Sequence, residues 1–333
     1  MNDLTCQRFF KQDNTTYMRL FLATLVTTVL LMTSTQAAEY PSRTIKMIIP
    51  FAPGGGSDTL GRVLAEKMGN ELGANIIVEN KPGASSIIGT EIVAKALPDG
   101  YTLLLTNGAI ASNPTFFKLP FDTQNLSAIT KVANAPQLLV ANPNAPFKNL
   151  KELLAYAKGN PGKVTIGTAG AGQISHLAAE LLEKSSATEM TMVHYKGSGG
   201  ALSDLLGGQI NMSFGTAPGL MQFIRSGKVI PIAVSSAQRM PTLPNVPSIS
   251  EVLPGYDISN WFGIFAPPQT PKPIVDRIYQ AVNKALASPE LSKKFGEEGF
   301  DIVAIPPDRF EKSFKQEIIY WQKFAKDNNL KID

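Results

Sequence analysis

From Tyr40 onward the chain predicts an α/β protein built as two lobes joined by two crossing strands. Three observations predict it. Short apolar strands alternate with amphipathic helices. Glycine-rich loops stand where strands hand over to helices. These units come in two blocks, separated near residue 138 and rejoined near residue 258. The expected division is residues 39–138 with 258–333 as lobe 1, and 139–257 as lobe 2.

Ile45–Ile49 is continuous and Ile-rich, as in a strand buried on both faces of a parallel sheet. It breaks at Pro50–Gly56, after which Ser57 or Asp58 can cap a helix. Leu60, Val63, Leu64, Met68 and Leu72 give that helix one apolar stripe, and Gly73 ends it. A strand at Asn75–Glu79, a helix at Ile87–Ala96 and a strand at Thr102–Thr106 complete a first series with right-handed crossovers. Leu138–Ala141 is the next strand and Asn149–Tyr156 the next helix. In the second block Val164–Thr168, Met190–Tyr195 and Ile210–Phe214 are strands, each entering a loop of small residues and then a helix. Val229–Ser235 is a further strand, and the proline-rich stretch Met240–Pro254 reads as a surface connection. Ser259–Ala266 returns to the first lobe, where helices at Pro273–Ala287, Pro289–Phe295 and Pro307–Lys326 pack back.

The N-terminus carries a separate signal. Arg19 precedes an apolar run, Leu20–Met32, that ends in small and polar residues through Ala38. A basic residue, a short apolar run and a small-residue exit describe a secretory signal peptide, residues 1–38, with Met18 an alternative start. The run is too short to span a bilayer comfortably. The one cysteine, Cys6, lies upstream of it, so the mature chain has no thiolate for catalysis, clusters or metal sites. Without residues 1–37 the chain has 28 basic and 25 acidic residues, a balance too even for nucleic acid.

Ligands of open α/β sheets bind beyond the carboxyl ends of strands, where helix N-termini attract anions. Pro53-Gly54-Gly55-Gly56-Ser57-Asp58 is such a place, and Ala169–Ser175 and Gly215–Thr216 are similar loops in the second block. Two facing sets of this type can grip a carboxylate. Nucleotide binding is the rival for these loops. Gly56–Val63 has P-loop glycine spacing but lacks the Lys and Ser/Thr that contact phosphate and magnesium, and Asp58 repels a polyanion. Gly170–Ser175 misses the dinucleotide fingerprint, with Ser175 in place of the third glycine. Hydrolysis is the second rival. The chain has two histidines, His176 and His194, and no Gly-x-Ser-x-Gly elbow follows a strand. Ser175 and His176 are neighbours on a helix and point to different faces. No cofactor is expected, and no His/carboxylate cluster has metal-ligand spacing.

Several of these residues also admit a purely structural reading. Asp58 is an N-cap or a ligand contact; His176 fixes the start of a helix; His194 ends a strand; Lys196 is an exposed lysine; Trp261 and Phe262 are packing residues at the expected hinge.

The motifs Pro50-Phe51-Ala52-Pro53-Gly54-Gly55-Gly56-Ser57-Asp58, Leu97-Pro98-Asp99-Gly100-Tyr101, Tyr195-Lys196-Gly197, Asp204-Leu205-Leu206-Gly207-Gly208-Gln209 and Leu243-Pro244-Asn245-Val246-Pro247, in this order, resemble the Bug-type extracytoplasmic solute receptors of tripartite tricarboxylate transporters. The resemblance covers the mature chain. It implies a two-lobed periplasmic binding-protein fold (type II-like) with two hinge strands and a cleft that closes around a mono- or dicarboxylate. The partners it implies are that organic acid and membrane permease subunits, with the receptor a periplasmic monomer and not an enzyme; a sensor that presents its ligand to a signalling partner is the alternative. It implies ligand contacts at Phe51, Gly54, Gly55, Ser57 and Asp58, at Asn107 and Ala109, and at Thr168, Gly170, Gly172 and His176, beside Ser175, Gly215 and Thr216 of the loops above. Two departures stand out: Gln173 where a small hydroxyl residue is frequent, and Gly215 where an aspartate is frequent. The second leaves room for a bulkier or aromatic acid.

Overall fold

The computed structural model describes residues 40–330; the expected signal peptide, Met18 and Cys6 lie outside the described residues. Strand β1 (Ile45–Ile49) pairs in parallel with β2 (Ile76–Asn80) on one side and β3 (Thr102–Asn107) on the other. Between them run α1 (Gly56–Leu72) and α2 (Ile87–Ala94). The apolar stripe of α1 is buried as its spacing predicts: Leu60, Leu64 and Met68 are fully inaccessible and Val63 sits at the edge. Each such side chain contributes about 1.5–3 kcal/mol of hydrophobic stabilisation. The N-cap of α1 is Gly55, with no side-chain cap bond, so neither Ser57 nor Asp58 is the cap.

After β3 comes a helix that sequence reading misses, α3 (Ala109–Phe116), with Pro114 inside it. A proline usually ends a helix because it lacks the N–H; here it stands near the C-terminal end, where one lost bond is tolerated. Next is β4 (Ser127–Ala141), far longer than the expected Leu138–Ala141. Its first part pairs antiparallel with β9 (Ser259–Ala266), which in turn pairs with β3. Its last residues, Gln137–Ala141, leave β9 and pair with β7 (Met212–Thr216) and β8 (Ile230–Val234). Thus β4 carries the chain from one half of the sheet to the other. The second half adds α4 (Leu150–Gly159), capped by the Asn149 side chain, then β5 (Thr165–Thr168), α5 (Ile174–Ser186), β6 (Thr191–His194), α6 (Ser198–Leu206) and α7 (Ala217–Arg225). β5 pairs in parallel with β6 and β7. Gly215 and Thr216, read from sequence as a loop, are the last two residues of β7.

The chain returns at Ser235 and Ile258. Ser235 N–H donates to Gln137 O (2.9 Å), Gln137 N–H donates to Ser235 Oγ (3.0 Å) and Ile258 N–H donates to Ser235 O (2.9 Å). One buried serine therefore ties the two crossing segments together. The C-terminal helices α8 (Lys272–Leu286), α9 (Pro289–Glu297) and α10 (Pro307–Asp327) stand where expected. Between α9 and α10 is an unexpected strand, β10 (Asp301–Ile305), paired antiparallel with β4. Its five residues follow a helix with too little polar alternation to announce a strand. Among the described residues no helix is long and apolar enough to cross a membrane.

Candidate functional site

The carboxyl ends of β1, β3, β5 and β7 face one cleft, with about 500 Å³ of empty space counted out to its mouth. From the first half of the sheet it is lined by Phe51, Ala52, Gly55, Gly56, Ser57 and Asn107. The second half contributes Ala169, Gln173, Ile174, Ser175, Ser198, Phe214, Gly215 and Thr216. The crossing strands contribute Gln137, Asn260 and Phe262.

The loop after β1 is held tightly. Gly54 has φ +86°, a left-handed turn suited to glycine. A Cβ on Gly56 would lie 2.7 Å from Thr216 Oγ1, so only glycine lets the two halves approach this closely. Asp58, three residues into α1, reaches back and accepts the Gly54 N–H at 3.1 Å. The same carboxylate accepts from Arg62 Nε (3.1 Å) and Asn80 Nδ2 (2.9 Å), and Asn80 Nδ2 also donates to Phe51 O (3.1 Å). Burial by itself raises the Asp58 pKa, but the Arg62, Asn80 and Gly54 donors outweigh it and hold the carboxyl below its usual range. Asp58 is therefore an ionised brace for the loop and does not line the cleft.

The loop after β5 is braced in the same way by a different group. His176, on the first turn of α5, accepts the Gly172 N–H at Nδ1 (3.0 Å) and turns Nε2 toward Glu180 Oε1 (3.3 Å). Ser175 Oγ accepts the Ala169 N–H (2.9 Å), and Thr168 Oγ1 bonds His194 Nδ1 (2.8 Å). The two imidazoles meet edge to face, 4.4 Å apart. Thr168, Gly172 and His176 thus shape the loop behind the cleft wall, as Ala109, buried in α3, does on the opposite side. Gly54 lines an adjoining space, and Gly170 borders a neighbouring cavity with Lys196, which is exposed. So Phe51, Gly55, Ser57, Asn107, Ser175, Gly215 and Thr216 come together on the cleft, while Gly54, Asp58, Ala109, Thr168, Gly170, Gly172 and His176 stand behind or beside it.

Three lining residues are chemically the most telling: Gln137 and Asn260, which nothing in the sequence singles out, and Gln173, noted there only as a departure from the usual pattern. Gln137, Gln173 and Asn260 are at most 3 % exposed, and Gln137 Oε1, Gln173 Oε1 and Asn260 Nδ2 have no protein partner. Asn260 is oriented by its other end, since Oδ1 accepts the Gly108 N–H (3.1 Å) and the Trp261 N–H (2.9 Å). An unpaired buried polar atom costs about 1–3 kcal/mol; Asn260 Nδ2 is placed to donate to a group in the cleft, while Gln137 Oε1 and Gln173 Oε1 accept from a ligand O–H or N–H or from water. Phe262, expected as packing, is a wall of the cleft; Trp261 is packing, its ring against Phe310 and Phe314 and its N–H on Glu317 (2.8 and 2.9 Å). No charged side chain lines the cleft among the described residues, and no group of three His, Cys, Asp or Glu could hold a metal ion among them. The remaining donors are neutral: the hydroxyls of Ser57, Ser198 and Thr216, and the first N–H groups of α1 and α5, which have no partner within their own helices.

A mixed sheet with helices on its faces, crossed twice by the chain and carrying a neutral, donor-rich cleft at its strand ends, defines an α/β periplasmic binding protein. The chain belongs to the tripartite tricarboxylate transporter receptor family, whose model matches residues 60–330. It is 34% identical to protein BugT of Bordetella pertussis over 301 residues, 89% of this chain and 92% of that one. Among solved structures it is similar to the periplasmic binding protein BugD (TM-score 0.84, 35% identity, 88% of this chain and 99% of that one). A Rhodopseudomonas palustris protein solved with adipate matches with TM-score 0.84 and 29% identity over 87% of this chain and 99% of that one. MatC of the same organism, solved with bound malate, matches with TM-score 0.80 and 30% identity over 85% and 99%. The family is one of receptors.

Proposed function

We propose that this chain captures one small organic carboxylate in the cleft, in the periplasm after removal of residues 1–38, and hands it to the membrane permease subunits of a tripartite transporter. The observation that carries the reading is the meeting of the N-termini of α1 and α5 with the unpaired donor Asn260 Nδ2 and three hydroxyls on a cleft with no charged wall. An anion is stabilised by free backbone N–H groups and the positive ends of α1 and α5 without a counter-charge. The malate and adipate held by the two similar proteins support a carboxylate as the ligand. Phe51, Gly55, Ser57, Asn107, Ser175, Gly215 and Thr216, joined by Gln137, Gln173 and Asn260, are the proposed contacts, and Gly54, Asp58, Ala109, Thr168, Gly170, Gly172 and His176 position them. Residues 39–138 with 258–333 and residues 139–257 act as lobes that close by pivoting where Gln137, Ser235 and Ile258 meet.

Binding without turnover fits the same geometry. Ser175 Oγ is occupied by a backbone N–H and His176 Nδ1 faces Gly172, so neither forms a nucleophile–base pair. Thermal unfolding of the mature chain against a panel of aliphatic and aromatic acids tests the proposal. A ligand at 100 times its dissociation constant adds roughly 2.7 kcal/mol of stability. A folded protein that responds to no carboxylate would sink it.

A further inference from the structure

Asn260 and Phe262, two apart on β9, line the cleft together, and Trp261 between them packs on α10 instead. The Trp261 indole N–H donates to both carboxylate oxygens of Glu317, at 2.9 and 2.8 Å. Glu317 stands on α10 and also accepts the Trp321 indole N–H at 3.2 Å, so the two tryptophans of the chain share one half-buried carboxylate. Lys131 of β4 holds its ammonium 5.9 Å from the centre of the Trp261 ring. Glu317 thereby ties the last helix to both crossing strands.

Gly108, just before α3, connects this anchor to the cleft. Its N–H donates to Trp261 O and to Asn260 Oδ1, each at 3.1 Å. A Cβ at position 108 would lie 3.2 Å from Trp261 Nε1 and 3.3 Å from Asn260 Oδ1, so the indole and the amide rest against the same glycine. The amide oxygen accepts the Trp261 N–H as well, at 2.9 Å. Two backbone donors on Oδ1 fix which way the amide is turned and leave Nδ2 as the free donor. Packing of Trp261 on Phe310 and Phe314 needs no carboxylate. Burial pushes the Glu317 carboxyl above its usual range although the two indoles and Lys131 pull it down. An apolar side chain would hold the ring without that penalty, so the carboxylate is explained by the direction it imposes on the indole.

We propose that Glu317 is a positioning residue for ligand capture: by fixing the Trp261 indole it holds Gly108 and the Asn260 amide so that Nδ2 faces the bound acid. This rests on the carboxylate reading above and adds to it a residue of the last helix that does not line the cleft.

Calorimetric titration of the mature chain with malate, adipate and benzoate tests the proposal, the tightest binder of the three serving as probe. Asn260→Ala is expected to weaken the probe at least tenfold. Trp261→Phe keeps a ring on Phe310 and Phe314 and removes the indole N–H; Glu317→Gln removes the charge as well. Each is expected to weaken the probe at least threefold by itself, and less than 1.5-fold when added to Asn260→Ala, because the effect runs through that amide. Full additive losses in the Asn260→Ala background overturn the proposal, as does unchanged affinity in both single variants. A loss in Glu317→Gln without one in Trp261→Phe assigns Glu317 an effect of charge alone and overturns it too. Hydrogen exchange gives a readout without any acid. The Gly108 N–H is expected to exchange at least tenfold faster in Trp261→Phe and in Glu317→Gln, with the N–H groups of β1 unchanged. Unchanged Gly108 exchange in both variants overturns the positioning role, whereas silence of the folded protein across the wider acid panel takes down the carboxylate reading.

Discussion

The loops after β1 and β5 do the same work with different chemistry. Each follows a parallel strand, turns through glycines and enters a helix, and each is tied down by a side chain from the helix's first turn reaching four residues back to a loop N–H. In the first loop the acceptor is the Asp58 carboxylate, itself anchored by Arg62 and Asn80. In the second it is a neutral imidazole, anchored by Glu180. What the two loops share is a braced backbone presenting N–H groups, and not a common set of ligand-facing side chains. The brace also explains why charge is present at the site yet absent from its walls: the carboxylate faces inward to its own loop.

The sharpest way to break the comparison is Asp58→Ala. It removes an acceptor serving Gly54, Arg62 and Asn80 at once, and bonds to a charged group are worth about 1.5–3 kcal/mol. Loss of about 3 kcal/mol in urea unfolding and at least tenfold in ligand affinity is expected; a stable variant with unchanged affinity would mean the brace is dispensable. His176→Leu removes one neutral acceptor and leaves the Gly172 N–H unpaired, so about 1–2 kcal/mol is expected. Equal losses from the two variants would contradict the difference between a charged and a neutral brace.

A smaller effect tests whether the two halves hold each other. Ser85, in a run of three left-handed residues, donates its hydroxyl to Ala171 O in the loop after β5, beside the cleft, and Ser112 Oγ donates to Gly172 O at 3.3 Å. Ser85→Ala is expected to cost about 1 kcal/mol of closure, read as a severalfold faster ligand dissociation. An unchanged off-rate would assign that bond to folding alone.

The smallest effect is in pH. Burial, then the neighbouring His176, hold the His194 imidazole below its ordinary range, while Glu180 pulls the other way. As pH falls the unfolded chain binds this proton before the folded one does, so the contribution of His194 is full above about 6.5 and declines below it. His194 is exposed, so solvent screening keeps the effect under about 0.5 kcal/mol. His194→Gln should flatten the stability profile between about pH 6.5 and 5; a steeper profile would reverse the sign argued here.

Much of the architecture was legible in the sequence. Alternating strands and stripes located β1–β3 and β5–β9 within a few residues, because period and burial are local consequences of residue order. The glycine loops announced the place of the cleft for the same reason. The length of β4 was hidden because Thr130, Lys131, Asn134 and Pro136 break the apolar run, and they are strand residues only through pairing with β9. The hinge residues were hidden too: Gln137 and Asn260 are ordinary amides in sequence, 123 positions apart, and become a site only when β4 and β9 lie side by side.

Sequence alone thus determined the α/β class, the two-block order, the family motifs and the loop that opens each block, since these depend on neighbours along the chain. Tertiary structure decided which residues face the ligand. It turned Asp58 and His176 away from the cleft and brought Gln137, Asn260 and Phe262 into it. The physical reason is that a side chain's partners, and so its freedom to meet a ligand, are set by packing between elements that are distant in the chain.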